Sequence, residues 1–498
     1  MTARTTQEGG VDLSWLLAGV ASAPPVGVRD LTLDSRAVRS GDAFVALAGH
    51  QTHGLDHAAD ALARGAGAIL WDPAEGRVVD GILAGFPCVA VPGLRARLGA
   101  LADRFYRGPS AEAQVAGITG TNGKTTCAWL YAECQGSDGA YVGTLGVGRP
   151  PVVEAGVHTT PDVIAVHRSL RKLVDAGARR VAMEVSSHAL DQGRTAGVRM
   201  PLTAFTNLTR DHLDYHGSMA AYGAAKERLF SSLGVEQAVI NVGDGFGREL
   251  AARLPAGVSL TSVRTSPEGS VGQRFVVAHR VDCQATGLEL TGETHAGRFR
   301  LRSSLVGAFN AENLLLVLGL LLASDVSLAD ALEVLALASA PPGRMEAFEL
   351  GPNGPILVVD YAHTPDALAK ALAALRAHTA GQLYCVFGCG GDRDPGKRAL
   401  MAAAAEAGAD TLIVTDDNPR TEDPERIVGM ITGALTGRVP VMVERDRALA
   451  IRRAAAVAGP GDTILVAGKG HEDYQIYGSE RRSYSDRDIA RALAGGVR

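Results

Sequence analysis

A glycine-rich segment between a short apolar strand and a helix restricts what this chain can fold into. It reads Gly117-Ile-Thr-Gly-Thr-Asn-Gly-Lys-Thr-Thr126 and overlaps the apolar, β-branched run Val115 to Ile118. Glycine permits close backbone approach, and successive N–H groups at a helix N-terminus bind anions. Lys124 would meet phosphate oxygens there, and the hydroxyl of Thr125 can contact Mg²⁺. The segment predicts a phosphate-binding loop, and the alternative is a glycine-rich turn with a solvated lysine.

The loop departs from the strict P-loop pattern, in which a glycine stands six residues before the lysine. Ile118 occupies that position, and Gly117 lies one residue earlier. This departure weakens the prediction of a generic NTPase. Phosphate binding is still favoured, because the segment keeps the glycines, the lysine and the hydroxyl that such a site needs.

Composition limits the remaining possibilities. The chain has 498 residues, enough for several domains, and a formal net charge of −5, which gives no reason to expect nucleic acid or a membrane surface as a partner. Its six cysteines form no CxxC pair and predict buried free thiols in a reducing compartment. No stretch reaches the roughly 18 apolar residues of a membrane span. We therefore expect a soluble cytoplasmic protein and a monomer.

The pattern of strands and helices divides the chain into three α/β units. Residues 1–108 alternate short strands and helices and predict a small α/β domain. Residues 109–342 contain the glycine loop and predict a mostly parallel sheet, with a β-rich appendage over about 256–306 whose residues alternate like antiparallel strands. Residues 343–498 alternate five strands with helices and predict a Rossmann-like doubly wound sheet.

Polar clusters follow the predicted central strands on the side of the glycine loop. Glu184 ends one strand, and His212 lies in the segment Asp211-His-Leu-Asp-Tyr-His216 after the next. In open parallel sheets ligands bind at the carboxyl ends of the strands, so both side chains are candidate Mg²⁺ ligands together with Thr125. A core histidine is the alternative for His212. Lys226, on the following helix, would by itself be a surface lysine.

Together, the motifs resemble the Mur ligases of bacterial cell-wall synthesis, over nearly the whole chain. The segments that carry this resemblance are T-L-D-S-R, G-D-A-F-V-A-L, G-T-N-G-K-T-T, H-T-T-P-D, M-E-V-S-S-H-A-L, D-H-L-D-Y-H-G, D-Y-A-H-T-P-D, G-G-D-R-D, D-N-P-R and G-K-G-H-E. The nucleotide loop is shared with folylpolyglutamate synthetases. M-E-V-S-S-H, D-H-L-D-Y-H-G and D-N-P-R are narrower and are similar to the branch of the family that adds the third residue of the stem peptide.

The resemblance implies a role for each matching position. The ATP site would comprise Gly120, Thr121, Asn122, Gly123, Lys124, Thr125 and Thr126, with Asn310 and Arg344. The UDP-linked substrate would be held by Leu33, Ser35, His50, Gln51, Thr52, Thr159, Thr160, Ser186, Gln192 and Arg194. The family often has an asparagine before the two threonines, where this chain has His158. The catalytic residues would be Lys124, Glu184, His212 and Lys226. Lys226 matches a lysine that the family carbamylates (N6-carboxylysine), and the carbamate would be a further Mg²⁺ ligand with Thr125, Glu184 and His212.

The amino-acid site implied by the resemblance comprises Arg393, Asp417, Asn418, Pro419, Arg420, Gly468 and Glu472. A guanidinium can clamp the distal carboxylate of diaminopimelate bidentately, and a carboxylate such as Glu472 favours its ammonium. Lysine-adding relatives usually lack the arginine that stands here as Arg420. The resemblance thus implies an ATP- and Mg²⁺-dependent ligase that joins meso-diaminopimelate to UDP-N-acetylmuramoyl-L-Ala-D-Glu through an acyl phosphate. The alternatives are a lysine-adding form, a folylpolyglutamate synthetase-like ligase and a non-catalytic nucleotide-dependent scaffold.

Overall fold

Three sheets in chain order organise the molecule, and two small hairpins accompany them. The structure is a computed structural model that describes residues 10–49, 52–73, 79, 81–156, 158–266 and 272–495. Within those ranges, none of the helices combines the length and apolar character needed to cross a membrane. The predicted three-unit α/β architecture is confirmed.

The first unit is a small parallel sheet with strand order β3-β4-β5-β6. Its elements are β1 (Val11–Asp12), α1 (Leu13–Leu16), β2 (Gly27–Val28), β3 (Leu31–Thr32), β4 (Ala43–Ala46), α2 (Ala58–Ala63), β5 (Ala68–Trp71), β6 (Cys88–Ala90) and α3 (Leu94–Phe105). Strand β3 ends at Thr32 and leads into a polar turn. Asp34 accepts a hydrogen bond from the Arg36 N–H and begins a 3-10 turn over Ser35–Ala37.

The central unit is built on eleven strands in the order β10-β9-β8-β11-β7-β12-β13-β14-β15-β16-β17. Its first half contains α4 (Pro109–Glu112), β7 (Gln114–Thr119), α5 (Lys124–Cys134), β8 (Gly139–Gly143), β9 (Gly146–Arg149), β10 (Val152–Glu154), α6 (Val163–Asp175), β11 (Arg180–Glu184), α7 (Ser187–Asp191) and β12 (Leu202–Phe205). Its second half contains α8 (Leu213–His216), α9 (Met219–Glu227), β13 (Gln237–Asn241), α10 (Gly245–Ala252), β14 (Ser259–Arg264), β15 (Arg274–Gln284), β16 (Gly287–Thr294), β17 (Gly297–Ser303), α11 (Asn310–Ala323) and α12 (Leu328–Leu337).

Strand β7, which leads into the glycine loop, lies between β11 and β12, and both pair with it in parallel. The carboxyl ends of the three strands therefore meet at one edge of the sheet. Gln114 is half-buried and the other five residues of β7 are buried, as expected for a strand covered on both faces. This arrangement brings the loop, Glu184 and the segment after Phe205 to the same edge.

The predicted β-rich appendage continues the central sheet. Strand β15 pairs in parallel with β14 and antiparallel with β16, and β16 pairs antiparallel with β17. Leu288, Leu290 and Leu301 from these strands belong to the same apolar core as helix α11. Helix α11 is apolar on all its faces, so every face must be shielded from water. The antiparallel strands extend the sheet and cover part of this helix.

The third unit is a six-stranded sheet in the order β18-β19-β23-β20-β21-β22, with a separate hairpin formed by β24 and β25. Its elements are β18 (Glu346–Glu349), β19 (Ile356–Asp360), α13 (Pro365–Arg376), β20 (Leu383–Phe387), α14 (Gly396–Gly408), β21 (Thr411–Val414), α15 (Pro424–Thr432), β22 (Val441–Val443), α16 (Arg447–Val457), β23 (Thr463–Ala467), β24 (Tyr474–Tyr477), β25 (Glu480–Ser483) and α17 (Asp486–Leu493). Five strands are parallel, and β18 is antiparallel at the edge.

His378, just after α13, joins the third unit to the central one. Its Nε2 accepts a hydrogen bond from the Gly307 N–H at 2.8 Å, and its Nδ1 lies 2.6 Å from the carbonyl oxygen of Gln284. Helix α13 ends at Arg376, two residues before the imidazole that makes these contacts.

The six cysteines are free, as predicted, but only half of them are buried. Cys127, Cys385 and Cys389 are buried, whereas Cys88, Cys134 and Cys283 are partly exposed. The expectation of buried thiols throughout is therefore wrong for three positions, which lie near the margins of their elements.

Candidate active site

The glycine loop between β7 and α5 has a tightly fitted backbone. Gly120 and Gly123 have φ of 148° and 83°, which side-chain-bearing residues rarely adopt. A Cβ at Gly120 would lie 1.8 Å from the Thr206 hydroxyl oxygen, and one at Gly123 would lie 2.3 Å from Asn313 Oδ1. Gly117 differs, because it lies inside β7 and packs against Met200 without a positive φ.

Lys124 folds back over the loop. Its ammonium donates hydrogen bonds to the carbonyl oxygens of Gly120 and Thr121 at 3.0 and 2.8 Å. Burial lowers the pKa of Lys124, and the nearby Glu184 carboxylate opposes that shift. A cation held over a nest of backbone N–H groups can contact the phosphate oxygens of a nucleotide.

Glu184 ends β11 as a fully buried carboxylate. Its Oε2 accepts hydrogen bonds from the Thr125 hydroxyl at 2.9 Å and the Thr144 hydroxyl at 3.2 Å. Its Oε1 accepts from the Thr144 N–H at 2.9 Å and from the Tyr141 hydroxyl. The structure thus brings Thr125 and Glu184 together, as the strand order predicted.

Lys226, on α9, is 1 % exposed. Its ammonium donates to the Gly120 carbonyl at 2.7 Å and lies 4.3 Å from the centre of the Tyr222 ring. Burial, with a smaller contribution from Lys124, lowers the pKa of Lys226 to about 6. The interpretation of Lys226 as a surface lysine is therefore wrong, and its lowered pKa favours the neutral amine.

His212 directly precedes α8 and lies among other aromatic rings, and its role as a Mg²⁺ ligand stays a prediction. Its φ is 51°, and its ring lies against those of His188 and Tyr222, with centroids 4.9 and 6.0 Å apart. The side chain is 47 % exposed, and no contact between His212 and Glu184 forms within the described part of the chain. The imidazole stands at the rim of the loop, next to the Tyr222 that covers Lys226.

Oxygen atoms suited to Mg²⁺ lie beside the loop. Among residues 10–49, 52–73, 79, 81–156, 158–266 and 272–495, no group of three or more His, Cys, Asp and Glu side chains could hold a metal ion. Thr125 and Glu184 supply hard oxygen atoms 2.9 Å apart beside the loop. Since Mg²⁺ usually keeps several waters and binds one or two protein oxygens plus substrate phosphates, these residues fit a nucleotide-bound magnesium ion.

A cavity of about 660 Å³ opens beside the loop, between the central and third units. It is lined by Asn122, Gly123 and Thr126 of the loop, by Phe309, Asn310, Glu312 and Asn313 of the α11 region, and by Arg344, Asp360, Tyr361 and Lys370 of the third unit. The Arg344 guanidinium lies 4.7 Å from the centre of the Tyr361 ring. The volume and the mixed apolar and polar walls suit a nucleoside.

A second group of predicted residues clusters after β11. The Thr160 hydroxyl donates to the Glu184 carbonyl at 2.8 Å and accepts from the Ser186 N–H at 3.1 Å. Arg194 donates to the Thr160 carbonyl at 2.8 Å and to Gln192 Oε1 at 2.9 Å. Thr159 joins this group through the Thr144 hydroxyl, at 3.1 Å. His158, in the place of the family's asparagine, is exposed.

The predicted residues of the first unit are less closely connected. Leu33 packs at the edge of the first unit's core, and Ser35 is buried at the start of its 3-10 turn. Thr52 is exposed, and its carbonyl accepts from the Gly49 N–H at 2.8 Å. His50 and Gln51 lie outside the described residues. The structure does not bring Leu33, Ser35 and Thr52 into one contact group.

The predicted amino-acid site lies at strand ends of the third unit. Arg420 has a φ of 53°, and its guanidinium donates to the Gly391 carbonyl at 2.7 Å. The hairpin β24–β25 fixes this backbone, since the Arg420 N–H donates to the Ile476 carbonyl at 2.9 Å. Arg393 lies near the same turn, because a Cβ at Gly390 would be 2.9 Å from Arg420 Nη1 and 3.8 Å from Arg393 Cγ.

Glu472 and Asn418 form the other side of this site. Asn418 donates to Glu472 Oε2 at 3.1 Å, and the same oxygen accepts from Lys469 at 3.0 Å. Gly468 places its Cα next to Asp417, so that a Cβ there would lie 3.5 Å from Asp417 Oδ2. Pro419 lies between Asn418 and Arg420, and its carbonyl oxygen would be 1.9 Å from a Cβ at Gly391.

Sequence reasoning missed several residues of these sites. Lys469 stands in the quoted G-K-G-H-E motif but was assigned no role, although its position before Glu472 was a signal. Thr144 carries no local motif, and only the fold brings it to Glu184. Tyr222 lies four residues before Lys226 on α9, so the helical spacing was a local signal for their contact. Phe309 is 46 % exposed beside the nucleoside-sized cavity, and an exposed aromatic before a helix was a weak signal.

Three family models match the chain in order. They are described as Mur ligase family, catalytic domain, over residues 28–106; Mur ligase middle domain, over 118–321; and Mur ligase, glutamate ligase domain, over 343–470. A relative from Xanthomonas campestris pv. campestris is 48 % identical over 485 residues and spans 96 % of each chain. The chain belongs to the Mur ligase family. The expected resemblance is thereby confirmed.

The named relatives agree on one branch of the Mur ligases. The Xanthomonas protein and one from Xylella fastidiosa, 47 % identical over 97 % of each chain, are both named UDP-N-acetylmuramoyl-L-alanyl-D-glutamate–2,6-diaminopimelate ligase. A solved structure with the same name matches with a TM-score of 0.70, at 33 % identity over 99 % of each chain. A folylpolyglutamate synthase from Mycobacterium tuberculosis has a TM-score of 0.58 at 18 % identity, a likeness of fold alone.

Proposed function

We propose that this Mur ligase joins meso-diaminopimelate to the D-glutamate side-chain carboxylate of UDP-N-acetylmuramoyl-L-Ala-D-Glu, using ATP, in the synthesis of peptidoglycan precursors. The observation that carries the proposal is the 48 % identity over 96 % of the chain to a ligase named for this reaction. We further propose a cytoplasmic monomer whose residues 1–108, 109–342 and 343–498 bind the UDP-linked substrate, ATP and the amino acid, respectively.

ATP binding is supported by the loop and the adjoining cavity. Residues Gly120 to Thr126 would hold the phosphates at the N-terminus of α5, and the nucleoside would occupy the 660 Å³ cavity. Asn310 and Arg344 line that cavity. Lys124 already lies over the loop and would exchange its carbonyl contacts for phosphate oxygens.

Thr125 and Glu184 would hold Mg²⁺, with a carbamylated Lys226 and His212 as further proposed ligands. The ion would supply positive charge that offsets the phosphate charge. The chain itself supplies oxygen ligands that are held in place and shielded from water. Glu184 is fully buried and accepts hydrogen bonds from Thr125, Thr144 and Tyr141. The largely neutral Lys226 amine is suited to react with CO₂, which adds only to an unprotonated amine.

The reaction would proceed in two transfers. The γ-phosphoryl group moves from ATP to the D-glutamate carboxylate, which gives an acyl phosphate and ADP. The amine of the amino acid then attacks the acyl carbon, forms the C–N bond, loses a proton and expels phosphate. Lys124 would stabilise the charge in the first transfer. Thr160, Ser186, Gln192 and Arg194 would orient the muramoyl-dipeptide.

The amino-acid site supports diaminopimelate as the nucleophile. Arg420 and Arg393 lie at one turn and can meet a distal carboxylate, while Asp417 and Glu472 lie where an ammonium can bind. Lysine has the ammonium but not the distal carboxylate. It is therefore the competing substrate for this site.

The deciding experiment is phosphate release from ATP in the presence of the UDP-linked dipeptide and one amino acid at a time. We expect release that depends on both the dipeptide and diaminopimelate, with lysine slower by about tenfold or more, given the strength of charged hydrogen bonds. Release independent of any amino acid would rule out a ligase. A preference for lysine would assign the chain to the lysine-adding form, and activity on a folate with glutamate would assign it to the folylpolyglutamate branch.

A further inference from the structure

Lys469 is a fully buried cation, 0 % exposed, in the loop after β23. Its Nζ lies 3.0 Å from Glu472 Oε2, 3.2 Å from Asn418 Oδ1 and 3.5 Å from Asp417 Oδ1. All three partners belong to the proposed amino-acid site. The charge of a lysine with no exposed surface must be balanced by neighbouring polar groups, and these three side chains surround the ammonium.

The ammonium also orders the residues around it. Asn418 Oδ1 accepts from Lys469 and from the Ile476 N–H at 3.0 Å, which leaves its Nδ2 to donate to Glu472 at 3.1 Å. Both of these side-chain hydrogen bonds to Glu472 end on Oε2. Lys469 therefore fixes the rotamers of Asn418 and Glu472 relative to each other.

The charges around Lys469 do not cancel. Asp417 and Glu472 supply two carboxylates against one ammonium, and Asp417 Oδ1 is buried without a hydrogen-bond partner among the described residues. Across the site, Arg420 and Arg393 lie at the Gly390 turn. The cluster thus offers one net negative charge beside a pair of guanidinium groups.

We infer that Lys469 is a specificity-determining residue, which offsets one of two carboxylates so that the site accepts an end group carrying both an ammonium and a carboxylate in preference to a simple ammonium. This inference rests on the proposed function. With Lys469 in place, one negative charge remains for the substrate ammonium, and the arginines remain for its carboxylate. Without it, two uncompensated carboxylates attract any cation, including the side chain of lysine.

The test is Lys469→Met, which keeps an unbranched side chain one atom shorter than lysine and removes the charge. We expect the KM for diaminopimelate to rise about tenfold, the KM for ATP to stay within about twofold, and the diaminopimelate-to-lysine ratio of kcat/KM to fall about tenfold, the scale of one charged hydrogen bond. The matched control is Lys172→Met, which removes an exposed ammonium paired with Glu154 on the surface of α6.

Equal losses with both amino acids in Lys469→Met would overturn the inference and leave a merely structural role. If that variant does not fold, Lys469→Gln, which retains a hydrogen-bond donor without the charge, is measured in the same way, and an unchanged substrate ratio in it would also overturn the inference. The unaltered chain is assayed alongside. If it does not ligate diaminopimelate, the proposed function fails instead, so the two failures are distinguishable.

Discussion

The side-chain nitrogens of Lys124 and Lys226 donate to the same acceptor, the carbonyl oxygen of Gly120, at 3.0 and 2.7 Å. Burial is the larger cost of charging Lys226, and repulsion from the nearby Lys124 ammonium adds to it. As a result, the pKa of Lys226 falls to about 6. Under the proposed function Lys124 carries its charge to phosphate, whereas the lowered pKa of Lys226 favours its neutral amine.

The neutral amine of Lys226 is expected to take up CO₂. At pH 7 to 8 it is deprotonated, so ¹³C-enriched bicarbonate should produce a carbamate signal in the NMR spectrum of the protein, and that signal should disappear as the pH falls below about 6. Lys226→Met should lack the signal and lose about 100-fold or more in kcat, as expected for loss of a group that acts on transition-state charge. The Lys172→Met variant should keep both. A full rate without any carbamate signal would contradict this prediction.

Thr125 is expected to matter through its hydroxyl, which lies 2.9 Å from Glu184 Oε2. Thr125→Val keeps the shape of the side chain and removes the oxygen, so the Mg²⁺ concentration for half-maximal rate should rise and kcat should fall by about tenfold or more. Thr125→Ser keeps the hydroxyl and should remain within a few-fold of the unaltered chain. If valine and serine behave alike in a magnesium titration, the hydroxyl is not a ligand.

Arg420 is expected to select the distal carboxylate by its forked geometry. Arg420→Lys keeps the positive charge but cannot form two parallel hydrogen bonds, so the KM for diaminopimelate should rise about tenfold or more while the rate with lysine changes little. Steady-state kinetics with both amino acids measure the effect. Equal changes with the two amino acids would show that Arg420 does not read the carboxylate.

Phe309 is expected to contribute to nucleotide affinity. Its ring is 46 % exposed beside the cavity, so Phe309→Ala should cost the fold little and should weaken ATP binding by about 1–2 kcal/mol if a base stacks on the ring. Calorimetric titration with an ATP analogue checks this. Leu337→Ala, which truncates a 77 % exposed residue at the end of α12, is the control. Unchanged affinity in Phe309→Ala would place the base elsewhere in the cavity.

His471 is expected to make the folded chain sensitive to acid. Burial, with repulsion from Arg344 and Arg487, lowers its pKa from 6.5 to about 4. Between these values the unfolded chain binds the proton and the folded chain does not, so stability rises from pH 4 to 6.5 and is fully present above 6.5. The effect amounts to at most about 3 kcal/mol.

Replacing His471 by glutamine should reduce that dependence. Thermal unfolding at pH 5 and pH 7 should give a smaller difference in Tm for His471→Gln than for the unaltered chain. His363→Gln removes an exposed histidine near the same loop and should keep the original difference. A pH dependence that is the same in all three proteins would mean that other groups are responsible.

The sequence predicted the sheets and the Thr125–Glu184 pair because both follow from local pattern. Alternating strands and helices specify a parallel sheet, and a parallel sheet places strand ends together. The ring contacts of His212 with His188 and Tyr222, and its φ of 51°, could not be predicted from the sequence. A single backbone angle of this kind has no signature in residue type, apart from being uncommon outside glycine.

The contacts of Lys226 and Lys469 with residues distant in the chain also could not be predicted from the motifs around them. The motif around Lys226 shows only a helical lysine, whereas its burial depends on Gly120, 106 positions earlier in the chain. Lys469 is ordered by Asn418, 51 positions away. Contacts at such separations are products of tertiary packing, so the resemblance implied an amino-acid site with Asp417, Asn418 and Glu472 but gave no role to Lys469, which contacts all three.

The nucleoside-sized cavity has walls from two folding units, with Asn122 and Thr126 on one side and Arg344 and Tyr361 on the other. A molecule bound there contacts both units, in addition to its proposed role as the energy source of the reaction. Its binding free energy stabilises the state in which both units are folded and form the cavity, and it does not stabilise either unit alone. Bound nucleotide should therefore make the central and third units unfold together, in one cooperative thermal transition.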